Sequence, residues 1–167
     1  MFKVGDKATY PAHGLGIVKR IEKRVIGDNT IEFYVFHIIG SGATLMVPVE
    51  GVERAGMRPV ATKDEIFEAM TILLKPASNT KKLPIWNRRF REFNDLMRNG
   101  NILDTAKVLR SIHDVKLETD LSYGEQKMWR RAFDILVLEI DEVLGKGKAR
   151  ILIENALEGH MLTQGNS

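Results

Sequence analysis

The sequence contains no cysteine among its 167 residues. This absence excludes a disulfide framework, a thiolate metal site and a cysteine nucleophile, and it is typical of proteins from a reducing compartment. The four histidines, His13, His37, His113 and His160, have no metal-ligand spacing between them. The sequence therefore predicts neither a metal nor a cofactor.

Long apolar runs are also missing. The N-terminal segment MFKVGDKATYPAHG lacks the apolar stretch of a signal peptide, and no run elsewhere is long enough to span a membrane. We therefore expect a cytoplasmic protein with no membrane partner. The hydrophobic content of 44% and the charged content of 28% are those of a folded chain, long enough for one ordinary domain or two small ones.

Motifs for nucleotide binding and covalent catalysis are absent as well. The segment HGLGIVK has Lys19 where the third glycine of a dinucleotide fingerprint would stand, and LGKGKAR lacks both the leading glycine and the hydroxyl residue of a phosphate-binding loop. GSGAT does not match the Gly-x-Ser-x-Gly pattern of a nucleophile elbow. Nothing in the sequence indicates an enzyme, and an undetected hydrolase would rest only on unplaced histidines and acids.

The first sixty residues alternate between β-branched or aromatic runs and turn signals. The runs are KATY, GIVKRIEKRVI, IEFYVFHII, TLMVPV and ERAGMRPV, and the turns include GDNT after Ile26 and GSG after Ile39. This pattern predicts five short antiparallel strands joined by tight hairpins. So many strands in so short a segment favour a small closed or half-closed barrel, because closure removes exposed strand edges.

From Thr62 onward the period of the apolar residues becomes helical. Two capping boxes, Thr62 with Glu65 and Ser122 with Glu125, mark the starts of a first and a fourth helix. The other predicted helices are a second from Pro84 to Asn99, a third in NILDTAKVLRSIHDVK and a fifth in KARILIENALE, and the fourth continues to Gly145. Its apolar stripe predicts that Trp129 lies in the core.

These patterns predict an α+β protein built as two modules. A small antiparallel β-barrel occupies residues 1–60, a compact five-helix all-α domain occupies residues 61–162, and residues 163–167 form a polar tail. Each module has enough apolar residues for its own small core. No coiled-coil seam is present, and we expect a monomer.

Trp86, near the start of the second predicted helix, is the residue whose role is hardest to assign. It is in phase with Phe90, Phe93 and Met97, which favours a core position. However, it lies in the first turn, where such a stripe often runs beyond the packed body. The segment from Ala69 to Arg91 also carries six basic residues and no acid. An apolar wedge with flanking cations is the combination that opens a base step in DNA, so both interpretations stay open at this level.

The chain as a whole resembles the CarD/CdnL family of bacterial transcription regulators. The resemblance runs from Phe2 to about Leu157 and rests on FKVGDKATYPAHGLGIVKRIEKR, EFYVFHI, LMVPVE, WNRRFREF and LSYGEQKMWRRAFDILVLEI. The opening is also similar to the polymerase-interacting domain of transcription-repair coupling factors, but this chain has no helicase motifs. The resemblance implies a Tudor-like β module that docks on the β subunit of RNA polymerase.

It further implies that the helical module meets promoter DNA at the upstream fork of the transcription bubble. There a tryptophan wedges into the minor groove and stabilises the open complex. By motif position Trp86 is the wedge, Arg88, Arg89 and Arg91 are its DNA-binding companions, and Lys127 in GEQKMW is a second contact. Gln126 stands where some relatives have a basic residue, which bears on the strength of that second contact.

For polymerase docking, the matching positions are Arg24 in IEKR and Met46 and Pro48 in LMVP. Some members of the family carry arginine where Met46 stands, so one charged contact is missing here. The net charge of +3 is modest, and it suits a protein that polymerase delivers to DNA, with low and salt-sensitive affinity for free DNA. The alternative is a protein-interaction adaptor without DNA contact, in which Trp86 is core and the basic run is solvated.

Overall fold

The computed structural model describes residues 1–75 and 86–159, and for residues 86 and 87 it describes the helical backbone alone. The chain divides into two compact units, Met1–Val60 and Ala61–Ser167. Each unit has an apolar core of its own. The predicted start of the second helix at Pro84 and the tail predicted at residues 163–167 lie outside the described residues.

The first unit is one antiparallel sheet, as predicted. Its strands are β1 (Lys7–Tyr10), β2 (Gly14–Ile26), β3 (Asn29–Ile38), β4 (Thr44–Pro48) and β5 (Arg58–Pro59), in the order β4-β3-β2-β1-β5. Gly27 and Asp28 close the β2–β3 hairpin, and Gly27 has a φ of 63°, which glycine adopts without strain. Within residues 1–60 the ladder does not continue from β4 to β5, which corresponds to the half-closed form of the predicted barrel.

One face of this sheet forms the core of the first unit. Alternate residues of β3, Tyr34, Phe36 and Ile38, are buried there, since successive side chains of a strand point to opposite faces. Gly16 on β2 lies against this layer. A Cβ atom at Gly16 would stand 2.5 Å from Cζ of Phe36 and 2.6 Å from the carbonyl oxygen of His37, so the packing requires glycine at this position.

The second unit contains the five predicted helices. They are α1 (Lys63–Leu74), α2 (Trp86–Asn99), α3 (Ile102–Glu118), α4 (Tyr123–Leu144) and α5 (Ala149–Leu157). Both predicted capping boxes are present, with Thr62 and Ser122 as the N-cap residues of α1 and α4. The fold is therefore the α+β arrangement of two modules that the periodicities predict.

A buried ion pair on α3 joins the ends of two other helices. Arg110 Nε donates to Asp114 Oδ1 at 2.9 Å, and both side chains are only 4% exposed. Arg110 Nη1 donates to the carbonyl oxygens of Leu73 at 2.8 Å and Leu157 at 3.0 Å. Because the last carbonyls of a helix have no partner within it, one guanidinium here satisfies the C-terminal ends of both α1 and α5.

Trp129 on α4 packs against the core, although its ring is only half-buried. The ring stacks on Phe133 with centroids 5.0 Å apart and lies beside His113 at 6.4 Å. Lys116 Nζ stands 4.8 Å from its centroid. Phe133, Leu136 and Ile140, which follow Trp129 along the same stripe, are buried, so Trp129 lies at the edge of the packed layer rather than at its centre.

Candidate functional site

The apolar stripe of α2 loses its burial toward the N-terminal end of the helix. Met97 is 2% exposed and Phe93 7% exposed, but Phe90, one turn earlier, is 42% exposed. Trp86 lies one further turn toward the N-terminus, at the first residue of α2, and its side chain lies outside the described residues. Among the described apolar residues of this stripe, burial therefore decreases from Met97 to Phe90.

Two of the three arginines that follow Trp86 are exposed. Arg88 and Arg91 project to solvent, and successive residues of an α-helix are about 100° apart around its axis. The two arginines therefore lie on the outer side of α2, away from Phe93 and Met97. Within the first six residues of α2 the described charges are all positive, so this end of the helix presents a cationic surface.

Arg89 has a different environment. Its Nη2 donates to Oε1 of Glu125 at 3.0 Å, and the side chains of Arg89 and Glu125 are 16% and 8% exposed. Glu125 is also the capping-box residue of α4, because its Oε2 accepts from the backbone N–H of Ser122 at 2.8 Å. The first turns of α2 and α4 are thus joined through one carboxylate. The DNA contact predicted for Arg89 stays a prediction, and this ion pair indicates that it positions α2.

Lys127 lies on α4 beside the same region. Its side chain is exposed, and its Nζ stands 4.8 Å from the centroid of the Tyr123 ring. Gln126 is also exposed, and its side-chain amide donates to the carbonyl oxygen of Leu121 at 2.9 Å. Lys127, the second DNA contact that the resemblance implies, is therefore accessible to solvent. The side chain of Gln126 already donates one hydrogen bond, at the N-terminal end of α4.

An open groove of about 520 Å³ runs between α2 and α4, and sequence reasoning missed it. Phe90 and Asn94 line it from α2, and Gly124, Lys127, Met128 and Arg131 line it from α4. Met128 is buried and forms apolar lining, whereas Lys127 and Arg131 are exposed. The predicted contact Lys127 and the exposed stripe residue Phe90 therefore border one groove. The one sequence signal for the groove is the small residue Gly124, which lies next to the apolar stripe of α4.

In the first unit, the three residues predicted for polymerase docking share one face of the sheet. Met46 pairs with Val35, Pro48 pairs with Phe33, and Arg24 pairs with Ile31. On β3 these three partners alternate with Tyr34, Phe36 and Ile38, so the docking residues lie on the face opposite the apolar cluster of the unit, a face on which Val35 is also buried. Pro48 and Arg24 are exposed and Met46 is half-buried. This face of the sheet thus carries the apolar side chains of Met46 and Pro48 on β4 and the charged side chain of Arg24 on β2.

Arg24 is part of a charged cluster on β2. Its Nη2 donates to Oε1 of Glu22 at 3.0 Å, and Arg20 Nη2 stands 3.1 Å from Oε2 of the same carboxylate. Hydrogen bonds from Arg24 and then from Arg20 hold the pKa of Glu22 below its ordinary value. One acid is shared by two arginines, so the cluster keeps a net positive charge and would suit an acidic partner.

Residues 1–75 and 86–159 contain no group of three or more histidine and acidic side chains arranged to hold a metal ion. Among the helices of these residues, none has the length and apolar content needed to cross a bilayer.

The pKa of His113 lies below its ordinary value. Burial between α3 and α4 is the main cause, and the positive charges of Arg110 and Lys116 lower the pKa further.

Two family models match the chain and together cover most of it. Residues 2–61 match the CarD-like/TRCF RID domain, and residues 68–155 match the CarD C-terminal domain. The chain is also similar to a Bacillus subtilis (strain 168) protein named "Putative transcription factor YdeB". The two are 30% identical over 145 residues, which span 87% of this chain and 94% of that protein.

Proposed function

The chain belongs to the CarD/CdnL family of transcription regulators, and we propose that it binds the RNA polymerase β subunit and stabilises the promoter open complex with Trp86. The β unit, residues 1–60, docks on polymerase. The helical unit, residues 61–162, contacts promoter DNA at the upstream fork of the bubble. The chain acts as a monomer and as a non-enzymatic factor.

The wedge acts at a junction that is already partly melted. Unstacking one base step costs a few kcal/mol, and an inserted aromatic ring offsets part of this cost. Collapse of the bubble then requires the ring to leave, which slows the return to duplex. The observation that carries this proposal is the loss of burial along α2, from Met97 at 2% to Phe90 at 42% exposed, toward the turn that begins with Trp86.

Cationic side chains around the wedge hold the DNA backbone. Arg88 and Arg91 are exposed on the outer side of α2, and Lys127 is exposed on α4. Each phosphate contact adds affinity that does not depend on sequence and that decreases with salt. Because these contacts are few, DNA affinity of the free chain is low, and polymerase supplies the effective concentration that the helical unit needs.

Docking on polymerase uses the sheet face that carries Arg24, Met46 and Pro48. Met46 and Pro48 bury apolar surface against polymerase, and the positive charge of Arg24 attracts an acidic surface of the β subunit. Replacement of Arg24 by glutamate should weaken binding to the isolated polymerase β subunit, measured by calorimetry. Replacement of Lys3, which is exposed elsewhere in the same unit, by glutamate is the matched control. Equal losses for the two variants would refute the assignment of this face.

The wedge is tested by the lifetime of open complexes with and without the protein. We expect Trp86→Ala to shorten this lifetime by about fivefold or more, because stacking on an aromatic ring contributes about 1 to 3 kcal/mol per base. Polymerase binding and the thermal midpoint should stay unchanged. Phe67→Ala, at an exposed aromatic of α1, is the control. If Trp86→Ala instead unfolds the helical unit, the tryptophan is a core residue and the chain is an adaptor without DNA contact.

A further inference from the structure

The groove between α2 and α4 combines three kinds of surface in a small space. Phe90 offers an exposed ring, Asn94 offers an amide with both donors and acceptors, and Lys127 and Arg131 offer positive charge. Among the six described residues that line it, none is acidic. The nearby acid, Glu125, is buried and holds Arg89 and the N-cap of α4. The groove therefore favours an anionic ligand with a planar apolar part.

A nucleotide has this composition. Its base stacks on an aromatic ring, its edge forms hydrogen bonds with an amide, and its phosphate binds lysine or arginine. The groove volume of about 520 Å³ is in the range of small-ligand sites.

We infer that the α2–α4 groove binds one unpaired nucleotide of single-stranded DNA. A base inside a duplex stacks on its neighbours and cannot also stack on Phe90, so the groove selects a base that has left the helix. Phe90 lies one turn from Trp86 on the same helical stripe. A strand separated at the wedge would thus meet the groove next. This inference rests on the proposed function, and it adds a second element that holds the melted strand.

The inference is tested by NMR on the full chain labelled with ¹⁵N, titrated with a single-stranded deoxyadenosine pentanucleotide. We expect saturable shifts at the amides of Asn94, Gly124 and Met128. Phe90→Ala should weaken this binding by about fivefold or more, whereas Phe67→Ala should leave it unchanged. Lys127→Gln should reduce the slope of log affinity against log salt by about 0.7, the value for one phosphate contact to a single strand.

Three outcomes would overturn the inference. They are shifts confined to residues outside the groove, equal effects of Phe90→Ala and Phe67→Ala, and binding of a duplex of the same length as tightly as the single strand. No shift at millimolar oligonucleotide would count equally against it. The lifetime experiment with Trp86→Ala is independent of this readout. If Trp86→Ala shortens the lifetime but the oligonucleotide does not bind the groove, only the groove inference is refuted. If the oligonucleotide binds the groove but Trp86→Ala leaves the lifetime unchanged, the wedge proposal is refuted.

Discussion

Replacing Glu125 by glutamine removes one charge of the pair that joins α2 to α4. The glutamine oxygen can still accept from the N–H of Ser122, so the change acts mainly on the contact with Arg89. Fully exposed ion pairs contribute about 0 to 1 kcal/mol, and loss of one partner of a fully buried pair costs about 3 to 5 kcal/mol. The Arg89 and Glu125 side chains are 16% and 8% exposed, so we expect an intermediate loss of about 2 kcal/mol.

Urea unfolding of the full chain, followed by far-UV circular dichroism, measures this loss. With a slope of about 1 to 3 kcal/mol per molar urea, the transition of the helical unit should move down by about 1 M. Glu92→Gln, at an exposed acid of α2, is the matched control and should change stability by less than about 0.5 kcal/mol. Equal shifts for Glu125→Gln and Glu92→Gln would refute the view that this pair anchors α2.

The same variant has a functional consequence under the proposed mechanism. Loss of the Glu125 charge removes one contact that anchors the first turn of α2, which begins with Trp86. The wedge is then less well oriented, and open-complex lifetime should fall although no proposed DNA contact is altered. Arg89→Met removes the same ion pair and also a predicted DNA contact, so its open-complex lifetime should fall at least as far as that of Glu125→Gln, and the double variant should be no worse than Arg89→Met.

Three further predictions concern the cores. Arg110→Met should cost about 3 to 5 kcal/mol because it removes the guanidinium that donates to Asp114 and to two helix-end carbonyls. The added change Asp114→Leu should recover part of this loss in urea unfolding. Since burial lowers the pKa of His113 below its ordinary value of 6.5, its contribution to stability is full above pH 6.5 and is lost as pH falls below it. His113→Phe should therefore flatten the difference in unfolding free energy between about pH 7.5 and about pH 5.5. Gly16→Ala places a methyl group against Phe36 and should destabilise the β unit by about 1 to 3 kcal/mol, which a lowered thermal midpoint and weaker polymerase binding would report.

The type and order of the elements follow from local signals in the sequence. The two-residue turn at Gly27 and Asp28 needs a positive φ that glycine adopts without strain, and the capping boxes at Thr62 and Ser122 satisfy backbone donors within three residues. Such interactions involve neighbours in the chain, and therefore they can be read from spacing. The stripe of α4 predicted the burial of Phe133, Leu136 and Ile140 for the same reason.

Partners that are distant in sequence had no such signal. Glu125 was recognised as a capping residue, but its contact with Arg89 spans 36 positions and depends on how α2 packs beside α4. Arg110 likewise meets carbonyl groups that lie 37 and 47 positions away. Spacing within one helix contains no information on which groups of other helices will face it.

The sequence by itself determined two modules, their strands and helices, and a cationic second helix with Trp86 near its start, because periodicity and capping are properties of adjacent residues. It also carried the family motifs from which the candidate contacts were named. Only the tertiary structure decided that Phe90 is exposed while Phe93 is buried, although both share one stripe. Helical phase gives the direction of a side chain around its axis, but the neighbouring helices determine where along that axis the packing ends.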